Sequence, residues 1–217
     1  MEKEIRSYSI EFKAVPESRV IEGRAIPFNV ASPNREGFRE TVLPEAVEGV
    51  IEKSDIFMLY NHDRSQGFLA RSKKGRGSLA IETRADGVYF SFECPTDNLG
   101  EYIYQRIQKG DLNEMSWAFT IESDTWTKGV DGVYDRTINK FDELYDFSIV
   151  DQSYYGIEGA VKCARFAEVQ EEERLANEKK MEELRAEEEK KAQEEAKAKL
   201  EEYHKKLTEE YQQYINK

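Results

Sequence analysis

The chain has 217 residues, of which 35% are charged and 39% hydrophobic, and its net charge is −12. That length suits one medium domain, or one domain plus an appendage, while the polarity is too high for a compact globule throughout. The acidic balance offers no basic surface for a phosphate backbone, no apolar run reaches bilayer-spanning length, and Cys94 and Cys163 are too few and too far apart for a disulfide framework or a metal site. Nucleic acid and membrane are therefore not expected as partners. The opening Met1-Glu2-Lys3-Glu4-Ile5 has no signal-peptide core, so a reducing cytoplasm is the expected compartment.

Residues 5–15 alternate loosely between polar and apolar, as a strand does, and a second strand is predicted over Val20–Pro27, followed by a loop over 29–37. Pro44-Glu45-Ala46-Val47 reads as a short helix with proline in its first turn. The continuous apolar run 56–60 suits a strand buried on both faces, and His62 follows where it ends. Lys73-Lys74-Gly75-Arg76-Gly77 is basic, but it reads as a solvated hairpin tip rather than a phosphate loop. Segments 79–83 and 88–94 flank Asp86-Gly87, a strong hairpin signal. A helix follows, with Asn98 as expected N-cap, Glu101 completing a capping box, and Gly110 as terminator. Its apolar stripe is Leu99, Tyr102, Ile103, Arg106 and Ile107. The resulting fold class is α+β, dominated by strands.

Three side chains stand out for chemistry. Of the two histidines, His204 lies in a Glu- and Lys-rich tail, so imidazole base chemistry in the folded part would have to use His62. In Met115-Ser116-Trp117-Ala118-Phe119-Thr120-Ile121, alternation sends Met115, Trp117, Phe119 and Ile121 to the core. Ser116 is left on a face with only the small Ala118 and Thr120. In Leu144-Tyr145-Asp146-Phe147-Ser148-Ile149-Val150, Asp146 shares a face with Ser148. A carboxylate in so apolar a strand needs a partner, and a neighbouring imidazole would serve. Asp142 and Glu143 are rivals for the same role.

Taken in order, several short pieces resemble the prohead (procapsid maturation) serine proteases of tailed bacteriophages, of the HK97 type. They are Ile21-Glu22-Gly23-Arg24-Ala25, Phe38-Arg39-Glu40-Thr41-Val42-Leu43-Pro44, Leu59-Tyr60-Asn61-His62-Asp63, Lys109-Gly110-Asp111-Leu112, Met115-Ser116-Trp117-Ala118-Phe119 and Leu144-Tyr145-Asp146-Phe147-Ser148-Ile149-Val150. The chain departs from the family where Ala118 stands in place of a usual glycine, and where Asp151-Gln152-Ser153-Tyr154-Tyr155 replaces a usual Pro-Ala pair.

The resemblance implies an assemblin-like fold, mainly an antiparallel β-barrel with surrounding helices. It implies Ser116 as nucleophile, His62 as base and an acidic third member in the segment that matches Asp146; no cofactor is expected, and two histidines with two dispersed cysteines do not build a typical metal site. The substrates would be the major capsid and scaffold proteins, and the enzyme itself, inside the assembling procapsid in the host cytoplasm; a homodimer is compatible with it. The competing reading is a catalytically weak or inactive capsid-assembly or scaffolding protein that keeps the protease fold.

The protease-like domain is expected to span residues 1–164 and a charged helical tail 165–217. No proline follows Pro95 and no glycine follows Gly159, and the tail is rich in Glu, Lys, Ala and Leu. Leu200, Tyr203, Leu207, Tyr211 and Tyr214 form one stripe, which suits a coiled coil or a docking helix as well as a solvated one.

Overall fold

The structure is a computed structural model and describes residues 3–9, 12–15, 18–34, 37–151 and 164–215. The chain divides into two compact units, 1–163 and 164–217. In the first, the strands are β1 (Glu4–Ser9), β2 (Phe12–Ala14), β3 (Val20–Pro27), β4 (Phe38–Val42), β5 (Asp55–Tyr60), β6 (Ala70–Lys73), β7 (Arg76–Gly77), β8 (Ala80–Arg84), β9 (Gly87–Glu93), β10 (Glu114–Lys128) and β11 (Tyr134–Val150). Between β4 and β5 a 3₁₀ turn, Pro44–Val47, runs into the short helix α1 (Val50–Lys53), and α2 (Asn98–Gln108) precedes β10. The loop expected at 29–37 is irregular over its described part, and Lys74 and Gly75, both with positive φ, make the tight tip between β6 and β7.

The expected barrel is not found among the described residues. One seven-stranded sheet runs β1-β10-β11-β5-β6-β7 with β4 also on β11, and a separate four-stranded sheet runs β2-β3-β9-β8. The long strand β11 explains this open arrangement. Its first half pairs in parallel with β4 and its second half in parallel with β5, so one edge serves two strands in succession. The outer strands β1 and β7 do not pair with each other, so the sheet does not close.

The interior follows the alternation. Met115, Trp117, Phe119, Phe147, Ile149, Ile56 and Met58 are all buried, with the Phe119 and Phe141 rings edge to face at 4.9 Å. Each such side chain contributes about 1.5–3 kcal/mol. Gly23 faces Phe12 across β2 and β3, where a Cβ would come within 2.4 Å of the Phe12 Cβ. Only glycine lets those strands close.

Helix α2 begins one residue earlier than the capping-box reading implies. Asp97 is the N-cap and accepts a hydrogen bond from the Gly100 N–H at 2.8 Å. Asn98 is the first helical residue, and the Glu101 carboxylate accepts from Arg19 and Gln105 instead of reaching back to the cap. An aspartate cap gains from the positive helix end, which explains why it wins over its asparagine neighbour. Ile103 and Ile107 are buried as expected, whereas Tyr102 is largely exposed.

In the second unit, α3 spans Ala164–Ile215. Its described side chains are mostly exposed, and Arg174 pairs with Glu171 and Glu178 and Lys191 with Glu187 along the helix. Leu200 is exposed, while the side chains of Tyr203, Leu207, Tyr211 and Tyr214 lie outside the described residues, as do Cys163 and 152–155. No described helix is long and apolar enough to cross a membrane.

Candidate active site

Register across the first sheet sets up the site. Ser7, Ser116, Ser148 and Leu59 form one row on β1, β10, β11 and β5; Ile5, Ala118, Asp146 and Phe57 form the next. Partners in a row share a face. Ser116 and Asp146 are therefore diagonal neighbours, separated by the small Ala118 on one side and Ser148 on the other. Small residues at those two positions leave room for a ring above the sheet.

His62 supplies that ring. Asn61 and His62 both have positive φ, 51° and 57°, at the centre of a turn in which the Asp63 N–H donates to the Tyr60 carbonyl at 3.0 Å. Positive φ is unfavourable for non-glycine residues by about 1–2 kcal/mol each, though least so for Asn and His. The turn is held by the Asn61 N–H donating to the Ile149 carbonyl at 3.0 Å, and by the Asn61 side-chain oxygen accepting from the Asp151 N–H at 3.2 Å. It folds the imidazole back over β10 and β11.

The resulting contacts are short. His62 Nε2 lies 2.6 Å from Ser116 Oγ, and His62 Nδ1 lies 2.5 Å from Asp146 Oδ1. The Ser148 hydroxyl donates to Asp146 Oδ1 at 2.7 Å and its oxygen is 3.2 Å from His62 Nδ1. Ser116 is 1% exposed and the His62 side chain 12%, so the contacts are largely shielded from bulk water. Ser116, His62 and Asp146 are thus brought together. Of the rivals, Asp142 is engaged by the Thr120 hydroxyl at 3.2 Å and by Lys53 at 3.7 Å, and the imidazole contact is made by Asp146.

Burial is the largest influence on Asp146 and acts to raise its pKa. The hydrogen bond and charge of His62, the Ser148 hydroxyl and the Lys3 ammonium together outweigh it and hold the carboxyl below its ordinary value. An ionised Asp146 only accepts hydrogen bonds, so Nδ1 carries a proton whether or not the ring is charged, and in the neutral ring it is the protonated nitrogen. Nε2 then carries a lone pair, and the Ser116 hydroxyl donates to it. Such an arrangement can abstract the serine proton. The buried Cys94 is no competing nucleophile, since burial pushes its thiol up to about 11.

Two contributions from the N-terminal segment 3–6 had no sequence signal. The Ser116 hydroxyl also lies 2.9 Å from the Arg6 carbonyl oxygen, a second acceptor for its one proton. Lys3 Nζ is 3.3 Å from Asp146 Oδ2. Backbone carbonyls leave no trace in residue type, and Lys3 reads as one more surface lysine. Strand β1 is anchored by a buried charge network: Arg6 grips Glu40 with two bonds of 2.9 and 3.0 Å, and Arg136 bonds Glu4, Glu40 and Asp124 at 2.6 to 2.9 Å. A cleft of about 940 Å³ on the second sheet, lined by Phe12, Gly23, Arg24, Tyr89 and Phe90 among others, contains none of the three site residues.

A family model described as caudovirus prohead serine protease matches residues 5–172. Among solved structures, the chain is similar to the bacteriophage T4 capsid assembly protease, gp21. The identity is 12% and the TM-score 0.44, over 69% of this chain and 97% of that one. No curated protein matches. With most of its length matched by that model, the chain belongs to the caudovirus prohead serine protease family.

Proposed function

We propose that this chain is an endopeptidase acting inside the assembling procapsid in the host cytoplasm, with Ser116 as nucleophile, His62 as general base and Asp146 as the orienting acid. Its substrates would be the major capsid and scaffold proteins, and the chain itself. The observation that carries this reading is the unbroken line from Ser116 Oγ through both ring nitrogens of His62 to Asp146 Oδ1. Family membership supplies the setting.

In the first step, Ser116 attacks the scissile carbonyl carbon while its proton passes to His62 Nε2. The imidazolium is stabilised by Asp146, which stays ionised. Collapse of the tetrahedral intermediate breaks the C–N bond, and the Nε2 proton goes to the leaving amine. Water then hydrolyses the acyl-serine with His62 again as base. The Arg6 carbonyl gives the serine hydroxyl an alternative acceptor whenever His62 is protonated and Nε2 is itself a donor. In this reading α3 is an appendage that docks the enzyme on a scaffold or a second chain through the stripe near its end.

Co-expression with the neighbouring capsid genes tests the proposal. Intact masses should show truncated capsid and scaffold chains with the wild type and full-length ones with Ser116→Ala. Full-length chains in both would favour an assembly protein without catalytic function.

A further inference from the structure

We infer that Ser148 is a positioning residue for this site, clamping the Asp146 carboxylate in the rotation that keeps one oxygen facing the imidazole. The inference rests on the proposed Ser116–His62–Asp146 chemistry and adds a fourth member to it. Ser148 is 0% exposed, and it stands opposite Ser116 on β11, two residues from Asp146 on the same face. Its only hydroxyl proton has one short acceptor, Asp146 Oδ1 at 2.7 Å.

Two pulls act on this carboxylate. Lys3 draws Oδ2 towards solvent at 3.3 Å, while His62 and Ser148 both converge on Oδ1. Rotation about the last side-chain bond of Asp146 would carry Oδ1 away from the ring, and that torsion is broad in the absence of a second restraint. The Ser148 bond supplies that restraint from within the sheet. Because its proton is committed to Asp146, Ser148 cannot donate to Nδ1. Its lone pairs, 3.2 Å from Nδ1, instead favour a proton on that nitrogen. The hydroxyl thus acts twice: it orients the acid, and it disfavours the tautomer that would leave Nε2 unable to accept from Ser116. An alanine of nearly the same size would fill the position without doing either.

The test combines kinetics with proton NMR on the full chain. Ser148→Ala should lower kcat by about tenfold to a hundredfold, the range for losing a hydrogen bond to a charged group, with KM little changed; Ser148→Thr, which keeps the hydroxyl, should recover most of it. In the wild type, His62 should give a low-field Nδ1–H resonance, identified by its loss in His62→Ala; in Ser148→Ala it should move upfield and broaden. That resonance is read without turnover, so it decides the matter even if the threonine methyl is not accommodated. Wild-type kcat with an unmoved resonance in Ser148→Ala overturns the inference, as does a loss of kcat with the resonance unmoved. Retained cleavage by Ser116→Ala would instead overturn the nucleophile assignment on which the inference rests.

Discussion

Ser116 and Asp146 approach opposite nitrogens of one imidazole, at 2.6 Å and 2.5 Å, from adjacent strands whose register places them diagonally. Both side chains are set by the pairing of β10 and β11, and only His62 arrives on a turn.

Asp146→Asn should keep the shape and lose the tautomer control, because an amide can donate to Nδ1 and leave the proton on Nε2. A fall in kcat of about 10⁴ is the precedent for this exchange in a serine triad. Asp142→Asn, in a residue bound to Thr120 and Lys53, should leave kcat within a few-fold of wild type. Steady-state cleavage of a capsid-derived peptide checks both. A silent Asp146→Asn with a damaging Asp142→Asn would reverse the assignment.

Acid should unfold the protein through the carboxyls it holds ionised. Asp146 and Glu4 both have folded pKa values below their ordinary 3.8 and 4.5, because paired cations and hydrogen bonds outweigh burial. A depressed carboxyl contributes stability that is complete above its unfolded pKa and is lost as pH falls through its folded one. Urea midpoints should thus be steady from pH 7 to about pH 5 and fall below about pH 4.5. Asp146→Asn should flatten part of that fall.

Arg136 is 1% exposed and bonds three carboxylates, those of Glu4, Glu40 and Asp124. Arg136→Met should destabilise the chain by about 3–5 kcal/mol, since it leaves buried charge uncompensated. Denaturant unfolding reads this directly. A loss below about 1 kcal/mol would mean that the network is solvated, as a surface ion pair is.

Deleting residues 168–217 should leave a folded domain that still cleaves, since 1–163 forms a compact unit and the described side chains of α3 are mostly exposed. Circular dichroism and a peptide assay on the shortened chain test the first part. Its copy number in purified procapsids tests the docking role proposed for the tail. Unfolding on truncation would mean that α3 stabilises the domain, and undiminished incorporation would rule out the docking role.

Alternation made much of the strand layout legible. The bounds of β3, the burial of Met115, Trp117, Phe119 and Phe147, and the shared face of Asp146 and Ser148 all follow from side chains pointing alternately up and down. What alternation cannot give is which strand lies beside which. The open sheet in place of a barrel depends on β11 pairing with β4 and then β5, which no residue pattern in β11 announces. Glu40 shares its strand face with the buried Phe38 and Val42, and Arg136 with the buried Tyr134 and Ile138, so alternation points both inward; what it does not show is that they meet each other and Arg6 there, from three strands. The helix starts one residue before the expected position, since Asp97 and Asn98 are both good caps and the charge of Asp97 at the helix end tips the choice. The turn at Asn61-His62 had a usable signal in Asn61, a residue that tolerates positive φ.

In the proposed mechanism Ser116 is a nucleophile made reactive by His62. Its most direct test is labelling with a serine-directed phosphonylating reagent, followed by intact mass and peptide mapping. One adduct per chain is expected, on the peptide that contains Ser116, and none in His62→Ala. An adduct on another residue, or equal labelling of Ser116 in His62→Ala, would contradict this mechanism.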